Sequence, residues 1–182
     1  MNKHFKTLVS ALTVVFFAFI AYGSLGKDKK DSVSSSTSKT SITENSSNLV
    51  KIGEPLQTEY FEVTVKKISI EDKVKTGNQF TELKKEEGIR YLILNTTFKN
   101  ISDESRMLMD GEVLINYNGK EYNFDHSETI LSDGWGLLGQ INPLTTKTTN
   151  LVYKIPAEIK GEAYYRPGRS GKKDLIELGV IE

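Results

Sequence analysis

An Asn-Gly pair, Asn118-Gly119, sits between two short runs, Glu112–Tyr117 and Lys120–Phe124, and restricts the fold more than any other feature of this chain. Both central residues of a type I′ turn need positive φ, which Asn and Gly reach at the least steric cost, so the pair predicts a tight antiparallel hairpin. A period of two recurs elsewhere. Tyr60–Val65 alternates, and Ile68 and Ile70 resume on the opposite phase, so the change at Lys66-Lys67 predicts a bulge. Arg90–Lys99 sets Leu92, Leu94 and Phe98 on one face, with Tyr91, Ile93, Asn95 and Thr97 on the other. Further strands are expected at Glu128–Leu131, Thr148–Ile155, Glu162–Tyr165 and Asp174–Leu178, with Pro143, Pro156 and Pro167 between strands. No amphipathic helix is evident, and Thr81–Glu87 allows one helical turn before Gly88. Seven or eight short strands in this length predict an all-β fold, an immunoglobulin-like antiparallel β-sandwich.

The N-terminal part is of another kind. Lys3, His4 and Lys6 precede an uncharged stretch from Thr7 to Gly26 whose apolar heart is Leu8–Tyr22. This is the pattern of a secretory signal or signal anchor, and about 20 apolar residues suffice to span a bilayer as a helix. Residues 1–26 are therefore expected to direct export and to anchor the chain. Ala21-Tyr22-Gly23 offers the alternative of cleavage and secretion. The two early lysines predict a cytoplasmic N-terminus and an extracytoplasmic remainder. Half of the 22 residues from Lys27 to Asn48 are Ser or Thr. Such a segment buries too little apolar surface to offset its ordering entropy and reads as a disordered tether. Its reach by flexible-chain scaling is about 25 Å. The domain is expected over residues 49–182.

Lysine plus arginine and aspartate plus glutamate balance at 24 each, but residues 48–182 hold 18 basic and 21 acidic side chains, a net charge of −3. That sign argues against nucleic acid as a partner. The chain has no cysteine, which removes disulfides, zinc–thiolate sites, thiol nucleophiles and a lipid-modified cysteine anchor.

Residues 52–182 resemble the telokin-like immunoglobulin-fold domain of unknown function, found in exported proteins of Gram-positive bacteria and related to a mycobacterial secreted immunoprotective antigen. The resemblance is carried by Ile52-Gly53-Glu54-Pro55, Phe61–Val65, Gly88–Asn95, Phe98-Lys99-Asn100 and Leu151–Pro156. It implies the sandwich fold and an envelope location. It implies no catalytic residue, since the family has no agreed ones. Members commonly carry a lipobox cysteine; its absence here favours a helix anchor or secretion.

Candidate sites follow from residue type and context. Trp135, Leu137 and Leu138 lie among glycines in Gly134–Gly139 and are candidate contacts for a partner, since large apolar groups on a loop suit recognition. The bland reading is that Trp135 plugs one end of the sandwich. Arg166, Arg169, Lys172 and Lys173 form a basic loop that suits an anionic wall polymer or lipid headgroup. His126, with Asp125 and Glu128, is the one place for a metal or enzymatic centre, and a single histidine is poor for either. Met107 and Met109 are expected to alternate in direction, so that they cannot converge on a soft metal. No catalytic residue, metal or cofactor is expected. The expected function is a non-catalytic binding or accessory module at the cell envelope. An envelope protein, met through sheet edges or the Trp135 loop, is the expected partner; the sequence assigns no oligomeric state.

Overall fold

The computed structural model describes residues 48–137 and 139–182. The expected export segment, the tether up to residue 47, and Leu138 lie outside the described residues. Among those described, no helix is long and apolar enough to cross a membrane.

In chain order the strands are β1 (Asn48–Lys51), β2 (Leu56–Gln57), β3 (Phe61–Glu71), β4 (Ile89–Asn100), β5 (Arg106–Met107), β6 (Glu112–Tyr117), β7 (Lys120–Phe124), β8 (Gln140–Ile141), β9 (Thr146–Pro156), β10 (Gly161–Arg166) and β11 (Asp174–Ile181). Only β3, β4, β6, β7, β9, β10 and β11 have five or more residues, in keeping with the seven or eight strands expected. One sheet runs β2-β3-β4-β9 and the other β1-β11-β10-β6-β7; β5 and β8 form a small pair. Every pairing is antiparallel except β1 with β11, which is parallel. Three long strands face four, with the opening strand laid parallel on the last, which is an immunoglobulin-like sandwich.

The expected hairpin is present. Tyr117 pairs with Lys120 across the turn, and Asn118 (φ 51°) and Gly119 (φ 75°) both occupy the left-handed region. The β3–β4 register shifts between Val65 and Lys67, at the phase change read from the sequence. The shift lets Val63 and Val65 face inward before it, and Ile68 and Ile70 pack on the same core after it.

The core lies between the sheets. Val63, Val65, Leu92, Leu94, Phe98, Leu151, Tyr153 and Ile155 meet Val113, Ile115, Ala163, Tyr165, Ile176 and Leu178. A second, smaller cluster forms on the outer face of the four-stranded sheet, from Val74, Tyr91, Ile130 and Val152.

Three expectations are corrected. Glu128–Leu131 is irregular; its Glu128 amide donates to the Val152 carbonyl of β9 (2.7 Å), and Ile130 turns down into the second cluster. Thr81–Glu87 forms no helical turn. Leu83 instead exchanges two backbone hydrogen bonds with Val74 (2.9 and 3.0 Å), so the segment folds back as a narrow flap. Pro156 ends β9 and does not lie between strands; its residue needs no N–H where the strand stops.

Candidate binding surface

The outer face of the β3-β4-β9 sheet divides into an apolar and a polar half. Odd-numbered residues of β4 point outward, and Tyr91 there is buried completely under flanking chain, while Ile93 is half-buried. Beyond them the face is polar. Asn95 Nδ2 donates to Asn150 Oδ1 (2.8 Å), and the Thr97 and Thr148 hydroxyls are 2.9 Å apart. Two loops cover the apolar half.

The first is the flap between β3 and β4. Its Val74 packs into the second cluster, and Leu83 lies against it. The Tyr91 hydroxyl reaches through to donate to the Lys84 carbonyl (2.8 Å) and Glu86 Oε1 (3.0 Å). Burial, then the bond to the Glu86 carboxylate, pushes the Tyr91 hydroxyl above its ordinary pKa. Glu86 also meets Lys154 Nζ at 2.9 Å, and that bond, before the one from Tyr91, holds its carboxyl below the ordinary value.

The second is the loop between β7 and β8. Gly134 (φ 78°) and Gly136 (φ 67°) flank Trp135, both in the left-handed region where side chains are rarely tolerated. They turn the chain so that it runs beside β9. The Asn150 amide donates to the Gly134 carbonyl (2.9 Å), and the Gly136 amide donates to the Asn150 carbonyl (2.9 Å). The buried Thr149 hydroxyl donates to the Gly136 carbonyl at 2.7 Å, and Asn150 Nδ2 reaches the Gly134 carbonyl at 3.1 Å. These bonds occupy the outer edge of β9 along this stretch, which blunts it as a template for a further strand.

The result is a fixed, half-buried Trp135. One side of it rests on the second cluster. On either side of it is a hollow. One, of about 410 Å³, is lined by Glu71, Lys73, Lys75, Ile93 and Trp135. The other, of about 560 Å³, is lined by Asn78, Leu131, Ser132, Asp133, Gly134, Trp135 and Lys147. Both are shallow and open to solvent. Phe80, two residues from Asn78, is 86% exposed. The indole is thus neither a plug at the sandwich end nor a free loop side chain: it is a ridge on a sheet face.

The other candidates are placed differently. Leu137 packs against the main core and anchors the loop. Met107 and Met109 are both exposed, flanking the buried Leu108; residues two apart share a side of an extended chain, which the expected alternation overlooked. Asp125, His126 and Glu128 do not converge. His126 is highly exposed and meets only Asp125, at 3.3 Å, while Glu128 faces Lys154 at 3.8 Å. Asp125, by a backbone bond and then by its charge, raises the His126 pKa. Among the described residues no group of three acidic, His or Cys side chains could hold a metal.

Nor is the basic loop a uniform cationic surface. Arg166 is paired to Glu112. Arg169 lies over the Tyr60 ring at 6.0 Å, with Arg106 over the same ring at 4.4 Å. The cleft beside the loop, about 230 Å³, counts Asp110, Glu112 and Asp125 against Arg166 and Arg169. Lys172 and Lys173 are exposed beyond it.

Fold and topology together define an all-β sandwich. The chain belongs to the DUF4352 family, a domain of unknown function, whose profile matches residues 50–173. Among solved structures it is similar to an uncharacterized β-sandwich protein from Clostridium difficile 630, with 18% identity, a TM-score of 0.53, and coverage of 74% of this chain and 94% of that one. It is also similar to the yjhA protein of Bacillus subtilis, at 18% identity and a TM-score of 0.47, covering 70% of this chain and 98% of that one. A conserved hypothetical protein from Bacillus anthracis is similar at 24% identity and a TM-score of 0.44, over 64% and 87% of the two chains. No curated protein matches.

Proposed function

We propose that this protein is a non-catalytic binding module of the cell envelope, exported and tethered by its N-terminal segment, which makes contact through the Trp135 ridge. The ridge carries the proposal. The chain's single tryptophan is held by backbone hydrogen bonds between two hollows. A large aromatic group fixed before binding loses little entropy on contact, which is how a small surface reaches useful affinity. Export and tethering are supported by the uncharged run after Lys6 and by the Ser/Thr-rich segment that follows it. The resemblance to exported telokin-like domains points the same way.

The test uses the full-length chain in mild detergent, incubated with isolated envelope and sedimented. Wild type is expected to co-sediment saturably. Trp135→Ala is expected to lose about tenfold in apparent affinity, the scale of one lost aromatic contact. Trp135→Phe should retain part of the binding. Equal retention of wild type and Trp135→Ala would refute the proposal.

A further inference from the structure

The groups around Trp135 specify a ligand class. We propose that this face binds an anionic saccharide chain, with the indole stacked on a sugar ring and the lysines meeting its carboxylate or phosphate groups. The inference rests on the ridge being the contact surface.

Three observations carry it. First, the apolar lining of the two hollows is confined to Trp135, Ile93 and Leu131. That is too little for the apolar centre of a protein interface, but it suits one face of a sugar ring, which is apolar over its C–H bonds and polar at its rim. Second, the ridge adjoins hydrogen-bonding side chains on a flat sheet face. Asn150, whose backbone bonds Gly134 and Gly136, presents its amide beside Asn95, and the Thr97–Thr148 hydroxyl pair lies one step further along the same two strands. Amides and hydroxyls of this kind both donate and accept, as ring hydroxyls require. Third, one hollow is locally positive. Lys73 and Lys75 line it against Glu71, while the other hollow carries Lys147 and Asp133 and is balanced. Among the described residues Lys73 and Lys75 make no ion pair. An ammonium group is a good point-charge partner for carboxylate or phosphate. The domain's net negative charge does not oppose such a contact, because exposed charges more than about 8 Å away are largely screened at physiological salt. The basic loop that the sequence singles out has the opposite balance in its cleft, three carboxylates to two guanidinium groups.

Affinity electrophoresis of the full-length chain in detergent tests this with three polymers. Polygalacturonate carries rings and charge, dextran rings alone, and polyglutamate charge alone. Retardation is expected with polygalacturonate and is expected to be at least about tenfold weaker with the other two, since each lacks one of the two contacts. Trp135→Ala and the double variant K73Q/K75Q should each lose about tenfold in apparent affinity. Lys120→Gln, on the far sheet's edge strand, should bind as wild type. Trp135→Phe, which keeps an aromatic ring, guards against a folding artefact and should bind at an intermediate level. Equal retardation by polyglutamate would overturn the saccharide assignment. So would envelope retention that needs Trp135 but is abolished by protease treatment of the envelope, with no polymer bound; the contact surface would then stand with a protein as its ligand. Polymer binding that persists in Trp135→Ala would overturn the inference, and envelope retention that persists there would overturn the reading beneath it.

Discussion

Two buried polar side chains show how differently single residues are satisfied in this core. Asn100 is fully buried, yet its amide donates to the carbonyls of Glu104 and Ile141, both at 2.8 Å, and its Oδ1 accepts from the Ser102 amide and hydroxyl at 2.9 and 2.7 Å. It ties the end of β4 to β8 and shapes the turn between. Asn100→Ala would strand these partners, so chemical denaturation should report a loss of roughly 2–3 kcal/mol, the cost of unsatisfied buried groups. Tyr165 is the opposite case. Its ring packs at 6.5 Å from that of Tyr153, and its buried hydroxyl makes no hydrogen bond of good geometry among the described residues, the Tyr153 hydroxyl offering only a weak one. Burial, then the charge of Asp110, pushes that hydroxyl well above its ordinary pKa. Tyr165→Phe removes a group that has lost water and gained little, so it should melt at or above wild type. A marked fall in Tm would show that the hydroxyl is satisfied after all. Glu86 provides the pH handle. Its folded pKa is depressed by Lys154 and Tyr91, so its contribution is complete above its ordinary value of 4.5 and is lost as pH falls below it. Glu86→Gln should therefore lower Tm near neutrality and converge with wild type in acid; a constant gap at every pH would contradict this.

At the scale of elements, the parts legible in the sequence were those set by local rules. The β6–β7 hairpin follows from two residues that tolerate positive φ, and the β3 bulge from a shift in apolar phase. Gly119→Val should destabilise the hairpin by about 1–2 kcal/mol, because a β-branched residue at φ 75° is strained. The three two-residue strands carry no periodic signal: β2 forms on the free edge of β3, and β5 and β8 pair only with each other. The irregular path of Glu128–Leu131 was equally hidden. Its alternation is compatible with a strand, but the positive φ at Gly134 and Gly136 turns the following chain along β9. Trp135 was legible as a candidate, but its support was not. The second cluster joins residues from the flap, β4, the Ile130 loop and β9, a set no window of sequence displays together. The lysines of the hollows were missed for the same reason: Lys73, Lys75 and Lys147 are scattered, whereas in the conspicuous run at 166–173 Arg166 pairs with Glu112 and Arg169 lies over the Tyr60 ring. Thr149→Val removes the 2.7 Å bond to the Gly136 carbonyl. Hydrogen exchange should then speed up at the Gly136 and Asn150 amides, while the β6–β10 ladder stays protected.

For the whole molecule, one sandwich carries two unlike outer surfaces. On the four-stranded sheet a fixed aromatic ridge stands beside amide and hydroxyl pairs and the lysines that line the two hollows. On the other side, β7 offers an exposed edge guarded by Lys120 and Glu121, charges of the kind that discourage strand addition. In the proposed reading recognition falls to this sheet face, with export and anchoring proposed for the segment before residue 48. Because the chain has a single tryptophan, its emission reports on the ridge alone. The most direct measurement is a titration of the full-length chain in detergent with polygalacturonate, following tryptophan emission and acrylamide quenching. Binding at the ridge predicts a saturable emission change and protection from the quencher, both weakened by salt. Polymer retention with unchanged emission and unchanged quenching would place the contact elsewhere and contradict the account.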